Sequence, residues 1–181
     1  ILDQLLFEIA LFSANRIGAL EKLTVSSLDL DNMVFESIRE KEGYRVEVSF
    51  DDTCRDMLET LLSMRHDDYD HLECDALFIH KYKDKWIPWT QGMIHDRMRK
   101  FGKIIGIPDL HCHCIRKTSI NKIYEDTGDL NLASQWANHK NSSTTQMAYI
   151  KPVSKTELRD KLKLLKFKQK ELEKEAEKEG I

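Results

Sequence analysis

Four residues in the second half of the chain have types and spacings that suit phosphoryl-transfer chemistry. His113 and Arg116 are three residues apart at the start of a predicted helix, so their side chains lie on one face of that helix. Further on, His139 precedes Tyr149 by ten residues. Cationic donors can neutralise the oxygens of a phosphate, and a tyrosine hydroxyl in line with the phosphorus can attack it. The pattern therefore indicates a site for covalent attack on a phosphate ester.

Two residues nearer the N-terminus supply what such a site still needs. Arg16 follows the first predicted helix and offers a second guanidinium group for the phosphate. An alkoxide leaves poorly without a proton, and Lys41, in the predicted turn of a β-hairpin, is placed to act as the general acid. Arg39 and Arg45 flank the same turn, so they are alternatives to Lys41 as the acid.

The elements that position these residues follow from hydrophobic periodicity, capping residues and turn signals. Helices are predicted over residues 1–12, 17–23, 51–65, 90–105, 115–124, 130–137 and 143–149. Strands are predicted over residues 33–38, 44–50 and 76–79, the first two forming a hairpin with a cationic tip, and an acidic loop is expected over residues 66–75. The predicted fold class is mainly α with a small antiparallel β-sheet, an α+β fold.

Composition and charge restrict the function classes further. The chain has 181 residues and a net charge of −3, but residues 1–80 carry −11, residues 81–152 carry +6 and residues 153–181 carry +2. A basic middle segment is compatible with a polyanionic partner, although the same patterning occurs in proteins that bind no nucleic acid. No apolar run is long enough to span a membrane, and four cysteines without a disulfide framework favour a reducing compartment. We therefore predict a cytoplasmic protein with free thiols.

The site residues, taken in order, resemble those of the catalytic domain of the tyrosine recombinases, the phage integrase family. That family has an arginine after its first long helix, a lysine in a hairpin turn, His-x-x-Arg at a later helix start, then a Gly-His or Gly-Trp pair and a tyrosine nine or ten residues on. The matching residues are Arg16, Lys41, His113, Arg116, His139 and Tyr149. The similarity covers about residues 5–152 and includes a Ser-Thr-Thr-x-x-x-Tyr run at residues 143–149.

The chain departs from the family pattern at two positions, in addition to the open choice of Lys41, Arg39 or Arg45 in the hairpin. Ala19 stands three residues after Arg16, where the family usually has glutamate, so we expect another carboxylate, such as Glu21, to orient Arg16. Asn138 stands where glycine usually precedes the histidine, and this exchange is expected to alter how closely the backbone approaches the phosphate.

The resemblance implies site-specific DNA recombination or integration through a 3′-phosphotyrosyl intermediate, without a metal or other cofactor. Tyr149 is then the nucleophile and Lys41 the general acid, while His113 assists proton transfer at Tyr149 or orients its neighbours. The remaining three residues, Arg16, Arg116 and His139, hold the nonbridging oxygens of the phosphate. The implied partner is double-stranded DNA, and the implied source is a prokaryotic cell, a phage or another mobile element.

The resemblance and the leucine spacing also predict the domain organisation. Residues 1–152 form the catalytic domain, and residues 153–181 form a helical tail in which leucines recur at three- and four-residue steps. A tail of this kind is expected to dock on another protomer of the same protein on DNA. Because Ile1 opens directly into an apolar helical pattern, we expect the N-terminal DNA-binding region to be absent from this chain.

Other interpretations of the same residues stay open at this point. Each candidate could be structural, with Arg16 and Arg116 as salt-bridged surface arginines and Tyr149 as a ring at the edge of the core. The domain could also be a catalytically silent DNA-binding module, or a helical domain that binds proteins. A zinc site at residues 111–114 is disfavoured, because four ligand types in direct succession cannot all face one metal ion.

Overall fold

The computed structural model describes residues 1–40, 43–69 and 74–138, excepting the side chains of residues 67–69. Its helices are α1 (Leu2–Ser13), α2 (Ile17–Leu20), α3 (Asp52–Tyr69), α4 (Gln91–Ile104), α5 (Cys112–Thr127) and α6 (Leu130–Trp136). Its strands are β1 (Leu28–Asp29), β2 (Val34–Arg39), β3 (Arg45–Ser49), β4 (Ile79–Tyr82) and β5 (Lys85–Pro88). The predicted mainly α fold class with small antiparallel sheets is confirmed. No described helix is both long enough and apolar enough to cross a bilayer.

The strands form two separate antiparallel sheets. Strands β1, β2 and β3 make a three-stranded sheet in that order, with Phe35 opposite Val48 and Arg39 opposite Arg45. The backbone N–H of Glu40 donates to the carbonyl oxygen of the residue at position 44 (2.7 Å), which closes the base of the β2–β3 turn. The predicted hairpin is therefore confirmed, and the inner face of its sheet is buried through Phe35 and Val48. Strands β4 and β5 form a second, two-stranded hairpin.

Helix α1 lies at the centre of the main hydrophobic core. Leu5, Leu6 and Ile9 are fully buried, and α1 contacts α3, α5 and strand β3. The i, i+4 spacing of Leu5 and Ile9 produces this buried stripe, as the sequence predicts. A smaller apolar cluster joins the end of α1 to α5 and α6 through Ala14 and Ile120. The C-terminal end of α1 is thus fixed on two sides, and this is the end from which Arg16 follows.

The predicted boundaries of one strand and one helix are wrong, for identifiable reasons. The strand predicted over residues 76–79 lies at Ile79–Tyr82, and Ala76 makes only an isolated bridge with Thr24. In the turn between β4 and β5, Lys83 has a φ of 53°, a conformation that glycine or asparagine usually adopts. Because lysine stands there instead, the sequence carries no turn signal. Helix α3 continues to Tyr69 through part of the predicted acidic loop. Acidic side chains are compatible with a solvated helix and do not by themselves end one.

Helices α4 and α5 also differ in detail from the prediction. Thr90 caps α4, its hydroxyl accepting from the backbone N–H of Met93 (3.4 Å), and Ile105 is the C-terminal cap and is 53% exposed. Helix α5 begins three residues before the predicted start at residue 115. Because α5 begins earlier than predicted, His113 lies in its first turn.

Candidate active site

Arg116 is buried beneath the candidate site and joins the ends of two helices. Arg116 is only 2% exposed. One terminal nitrogen, Nη1, donates to the carbonyl oxygen of Ala14, and Nη2 donates to that of Ala137 (2.6 Å). Ala14 is the C-terminal cap of α1 and Ala137 that of α6, where unpaired carbonyls carry partial negative charge. The alternative that Arg116 is a salt-bridged surface arginine is therefore wrong.

Arg16 lies at the N-terminal cap of α2 and is accessible from solvent. Its side chain is 47% exposed, and Nη1 donates to Oε2 of Glu40 at 3.0 Å. The expected support from Glu21 is wrong, because the Glu21 carboxylate accepts from the backbone N–H (3.2 Å) and Nε2 (2.7 Å) of Gln91. Ala19, which replaces the usual glutamate, is fully buried in the core. The carboxylate that pairs with Arg16 thus comes from the hairpin.

The β2–β3 hairpin is tied to the Arg16 region at its base. Lys22 Nζ donates to the carbonyl oxygen of Arg39 (2.7 Å), and Glu40 pairs with Arg16. The two alternatives for the general acid, Arg39 and Arg45, are exposed and lie opposite each other in the strand register. These contacts hold the residue that directly precedes position 41 beside the Arg16 guanidinium.

His113 lies in the first turn of α5, in the electrostatic field of both arginines. Desolvation of the ring lowers the pKa of His113 below its ordinary value of 6.5, and the positive charges of His111, Arg116, Lys117 and Arg16 lower it further. The lowered pKa favours the neutral form of the imidazole. In that form one ring nitrogen can accept a proton or hydrogen bond. The structure thus places Arg16, His113 and Arg116 in one neighbourhood, and their roles in a reaction stay predictions.

Two asparagines join the loops that flank this neighbourhood. Asn138 Nδ2 donates to Oδ1 of Asn15 at 3.1 Å. Asn15 directly precedes Arg16, and Asn138 directly follows Ala137, whose carbonyl Arg116 binds. Asn138 has a φ of 52°, a left-handed conformation that glycine adopts freely and asparagine tolerates better than most residues. This conformation explains how asparagine is accommodated where the family pattern has glycine.

Three candidate residues and the tail lie outside the described residues. Lys41, His139 and Tyr149 belong to this set, as do the helix predicted over residues 143–149 and the tail predicted over residues 153–181. Their roles, and the predicted division into a catalytic domain and a tail, stay predictions.

Residues 111–114 point in different directions, as expected for consecutive residues of a helix start. Cys112 is buried in the main core, where desolvation raises the pKa of its thiol to about 11, whereas His113 is exposed. Cys114 Sγ lies 3.2 Å from Nε2 of His111. No group of three or more potential metal ligands occurs among residues 1–40, 43–69 and 74–138.

The comparison with protein families decides the assignment. The model of the "Phage integrase family" matches residues 1–155. The chain belongs to this family. The match covers every candidate residue, from Arg16 to Tyr149, and the sequence resemblance to the phage integrase family is confirmed. No curated protein sequence matches the chain significantly.

Solved structures of family-like fold agree with the architecture. XerA recombinase superposes with a TM-score of 0.69 at 20% identity, over 90% of this chain and 62% of that chain. XerH site-specific recombinase bound to its difH substrate gives 0.69 at 20% identity, over 88% and 45%. The Tn1549 transposon integrase in complex with transposon right end DNA gives 0.64 at 16% identity, over 90% and 58%. The chain has the tyrosine recombinase catalytic-domain fold and spans less than two thirds of each of these proteins.

The groups that hold Arg16 and Arg116 in place were not predicted from the sequence. Glu40 was not singled out, although a carboxylate beside Lys41 in a cationic turn is a signal for a salt bridge. The carbonyl oxygens of Ala14 and Ala137 carry no sequence signal, because every residue has one. Asn15 gave a weak signal only, through its place directly before Arg16.

Proposed function

We propose that this chain is the catalytic part of a site-specific DNA recombinase or integrase that cleaves and rejoins DNA through a 3′-phosphotyrosyl intermediate. The observation that carries the proposal is the convergence of Arg16, His113 and Arg116 in a member of the phage integrase family. Guanidinium groups can stabilise the charge that builds on a phosphate during transesterification, and an imidazole can take part in the proton transfer.

In the proposed reaction the Tyr149 oxygen attacks the scissile phosphorus. A bond forms between that oxygen and phosphorus, the bond from phosphorus to the 5′ oxygen breaks, and the DNA strand becomes linked through its 3′ phosphate. The phenol proton passes to the imidazole of His113, and Lys41 donates a proton to the leaving 5′ oxygen. A 5′-hydroxyl of a partner strand then reverses the step, so the energy of the phosphodiester is conserved without an external cofactor.

Each cation has its own part in stabilising the transition state. Arg16 is exposed enough to reach a bound phosphate, and together with His139 it would hold the nonbridging oxygens as negative charge builds on them. Arg116, fixed by the carbonyls of Ala14 and Ala137, would add its charge from beneath the site. The lowered pKa of His113 supports a role as a proton acceptor, because it favours the neutral form of the ring.

Double-stranded DNA is the proposed partner. Two solved structures of the same fold support this partner, because XerH is bound to its difH substrate and the Tn1549 integrase is in complex with transposon right end DNA. The net charge of +6 on residues 81–152 supports the same partner, because lysines and arginines release counterions from the phosphate backbone.

Another protomer of the same protein is the second proposed partner, through the tail predicted over residues 153–181. An apolar cavity of about 480 Å³ opens between α1, α5 and α6, and Phe12, Ile123 and Trp136 are among its lining residues. A leucine stripe of the predicted tail has the chemistry to cover such a surface.

Covalent trapping on a nicked suicide duplex tests the proposed function. Loss of a short 5′-hydroxyl fragment prevents religation, so an active enzyme accumulates a protein–DNA adduct that survives denaturing electrophoresis. We expect an adduct with the parent protein and none with Tyr149→Phe. Tyr124→Phe, a matched loss of one hydroxyl on α5, should form as much adduct as the parent protein. Absence of an adduct from the parent, or equal adduct from Tyr149→Phe, contradicts the proposal.

A further inference from the structure

Asn15 and Asn138 lie directly beside the candidate site without belonging to the predicted set. Asn15 is 2% exposed and precedes Arg16, and Asn138 precedes position 139. Their side chains are linked by the 3.1 Å hydrogen bond from Asn138 Nδ2 to Asn15 Oδ1. This bond joins the loop between α1 and α2 to the end of α6, which are 123 residues apart in sequence.

Asn15 is held by its surroundings as well as by Asn138. Its Nδ2 group lies 3.4 Å from the carbonyl oxygens of both Ser13 and Glu47, and its backbone N–H donates to Ser13 Oγ (3.3 Å). These contacts attach Asn15 to the end of α1 and to strand β3. A buried amide with both of its polar atoms engaged fixes the backbone to which it belongs. The next residue along that backbone is Arg16.

Asn138 combines a backbone property with a side-chain property. Glycine would adopt its φ of 52° at no steric cost, so the backbone conformation alone does not require asparagine. Asparagine adds the Nδ2 donor that reaches Asn15. The exchange from the glycine of the family pattern therefore brings a specific contact, and that contact ends next to the Arg16 backbone.

We infer that Asn15 and Asn138 act as a positioning pair, which fixes the Arg16 guanidinium for the phosphate and fixes the end of α6 relative to it. The inference rests on the proposed function for its catalytic consequence. Neither amide is assigned a contact with the reacting atoms. The pair acts through the residues that follow it in the chain.

The contacts of Arg116 distinguish a positioning role of the two asparagines from a purely structural role. The Arg116 guanidinium already joins the same two loops through the carbonyls of Ala14 and Ala137. Loss of the amide pair therefore leaves the loops attached, and the expected change is in the orientation of Arg16, with the fold retained. Small displacements of this kind lower the rate of a phosphoryl transfer strongly, because the near-attack geometry is narrow.

The test uses Asn138→Gly, which keeps the left-handed backbone and removes only the amide, together with Asn15→Ala and the double variant. Asn131→Ala, on the exposed side of α6, is the matched control. We expect about a tenfold lower rate of adduct formation for either single variant, with DNA affinity unchanged and the protein still folded at the assay temperature, although Asn15→Ala lowers the unfolding midpoint because it removes buried hydrogen bonds. The double variant should be no slower than the slower single variant, because the two residues act as one unit. Parent-like rates, or losses that multiply, overturn the inference.

A second measurement does not depend on recombinase activity. Because the charge of Arg16 helps to lower the pKa of His113, an NMR titration of His113 reports where the guanidinium lies. We expect Asn138→Gly to move that pKa upwards, part of the way to the value in Arg16→Ala. The parent value in Asn138→Gly overturns the inference, even if the parent protein forms no adduct. Absence of an adduct with a shifted pKa would instead contradict only the proposed function.

Discussion

Arg16 and Arg116 carry the same charge in opposite surroundings, and this contrast defines the site at the scale of single residues. Arg16 is 47% exposed and is paired with Glu40, whereas Arg116 is 2% exposed and binds two carbonyl oxygens. An exposed pair contributes little to stability, but a buried cation that satisfies helix ends contributes much more. The sequence identifies both arginines, because their types and order are chemical signals. It does not distinguish their surroundings, which depend on contacts more than 20 residues apart.

Replacing each arginine with alanine should separate stability from catalysis. Arg116→Ala leaves two buried carbonyls without their donor, and we expect it to lower the free energy of unfolding by about 3 kcal/mol. Arg16→Ala should change that free energy by less than about 1 kcal/mol. Urea denaturation of the two variants measures both values. Equal destabilisation by the two substitutions would show that the burial contrast does not govern their energetics.

His113 should titrate below its ordinary pKa of 6.5 in the folded protein. Its folded pKa is below its unfolded value, so the unfolded chain binds more protons between the two values. The contribution of His113 to stability is therefore present above pH 6.5 and is lost as the pH falls through the folded pKa. NMR titration of the imidazole measures this pKa directly. Lys117→Ala should raise it, because Lys117 is one of the nearby charges, and Lys122→Ala should leave it unchanged.

At the scale of elements, helix α4 contacts the segment that leads into α5 through a glycine. A Cβ atom at Gly102 would overlap the carbonyl oxygen of Ile107 and lie 2.7 Å from Cβ of Leu110. Gly92, near the start of the same helix, has space for a methyl group, with its nearest neighbour at 3.7 Å. The close approach at Gly102 sets where the chain turns towards His113.

Alanine at these two glycines should therefore act in opposite directions. Gly102→Ala forces the segment over residues 107–110 away from α4, and we expect it to lower the free energy of unfolding by about 2 kcal/mol despite the better helix propensity of alanine. Gly92→Ala should raise that free energy by about 0.5 kcal/mol. Thermal unfolding of both variants provides the comparison. A stabilising Gly102→Ala would contradict the packing described here.

Elements were predictable where a periodic apolar pattern met a clear cap or turn. Helix α4, capped by Thr90, and the β2–β3 hairpin meet this condition, and both are confirmed. The β4–β5 hairpin was missed because its turn contains Lys83 at positive φ instead of glycine. The support for Arg16 was assigned to the wrong carboxylate, because the approach of Glu40 depends on how the hairpin packs against α2. Such tertiary contacts leave no periodic trace in the sequence.

At the scale of the whole molecule, the family assignment depends on the order and spacing of the candidate residues along the chain. The site depends on the folding that brings these residues together. The spacing of residues between Arg16 and Tyr149 was sufficient for the family, which the match over residues 1–155 confirms. The overall charge of −3 hides the basic middle segment, which only a count along the chain reveals. The order of residues does not show which of them are close in space. Folding brings Arg16, His113 and Arg116 together from positions up to 100 residues apart.

The most direct test of the account asks whether Arg16 acts on the charge of the scissile phosphate. Single-turnover adduct formation is measured for the parent and Arg16→Ala on two suicide duplexes, one with the natural phosphate and one with a neutral methylphosphonate at the cleavage position. We predict about a hundredfold loss for Arg16→Ala on the phosphate and a loss of only a few-fold on the methylphosphonate, because the neutral group develops less charge for a guanidinium to stabilise. An equal loss on both duplexes would contradict the proposed role of Arg16 at the phosphate.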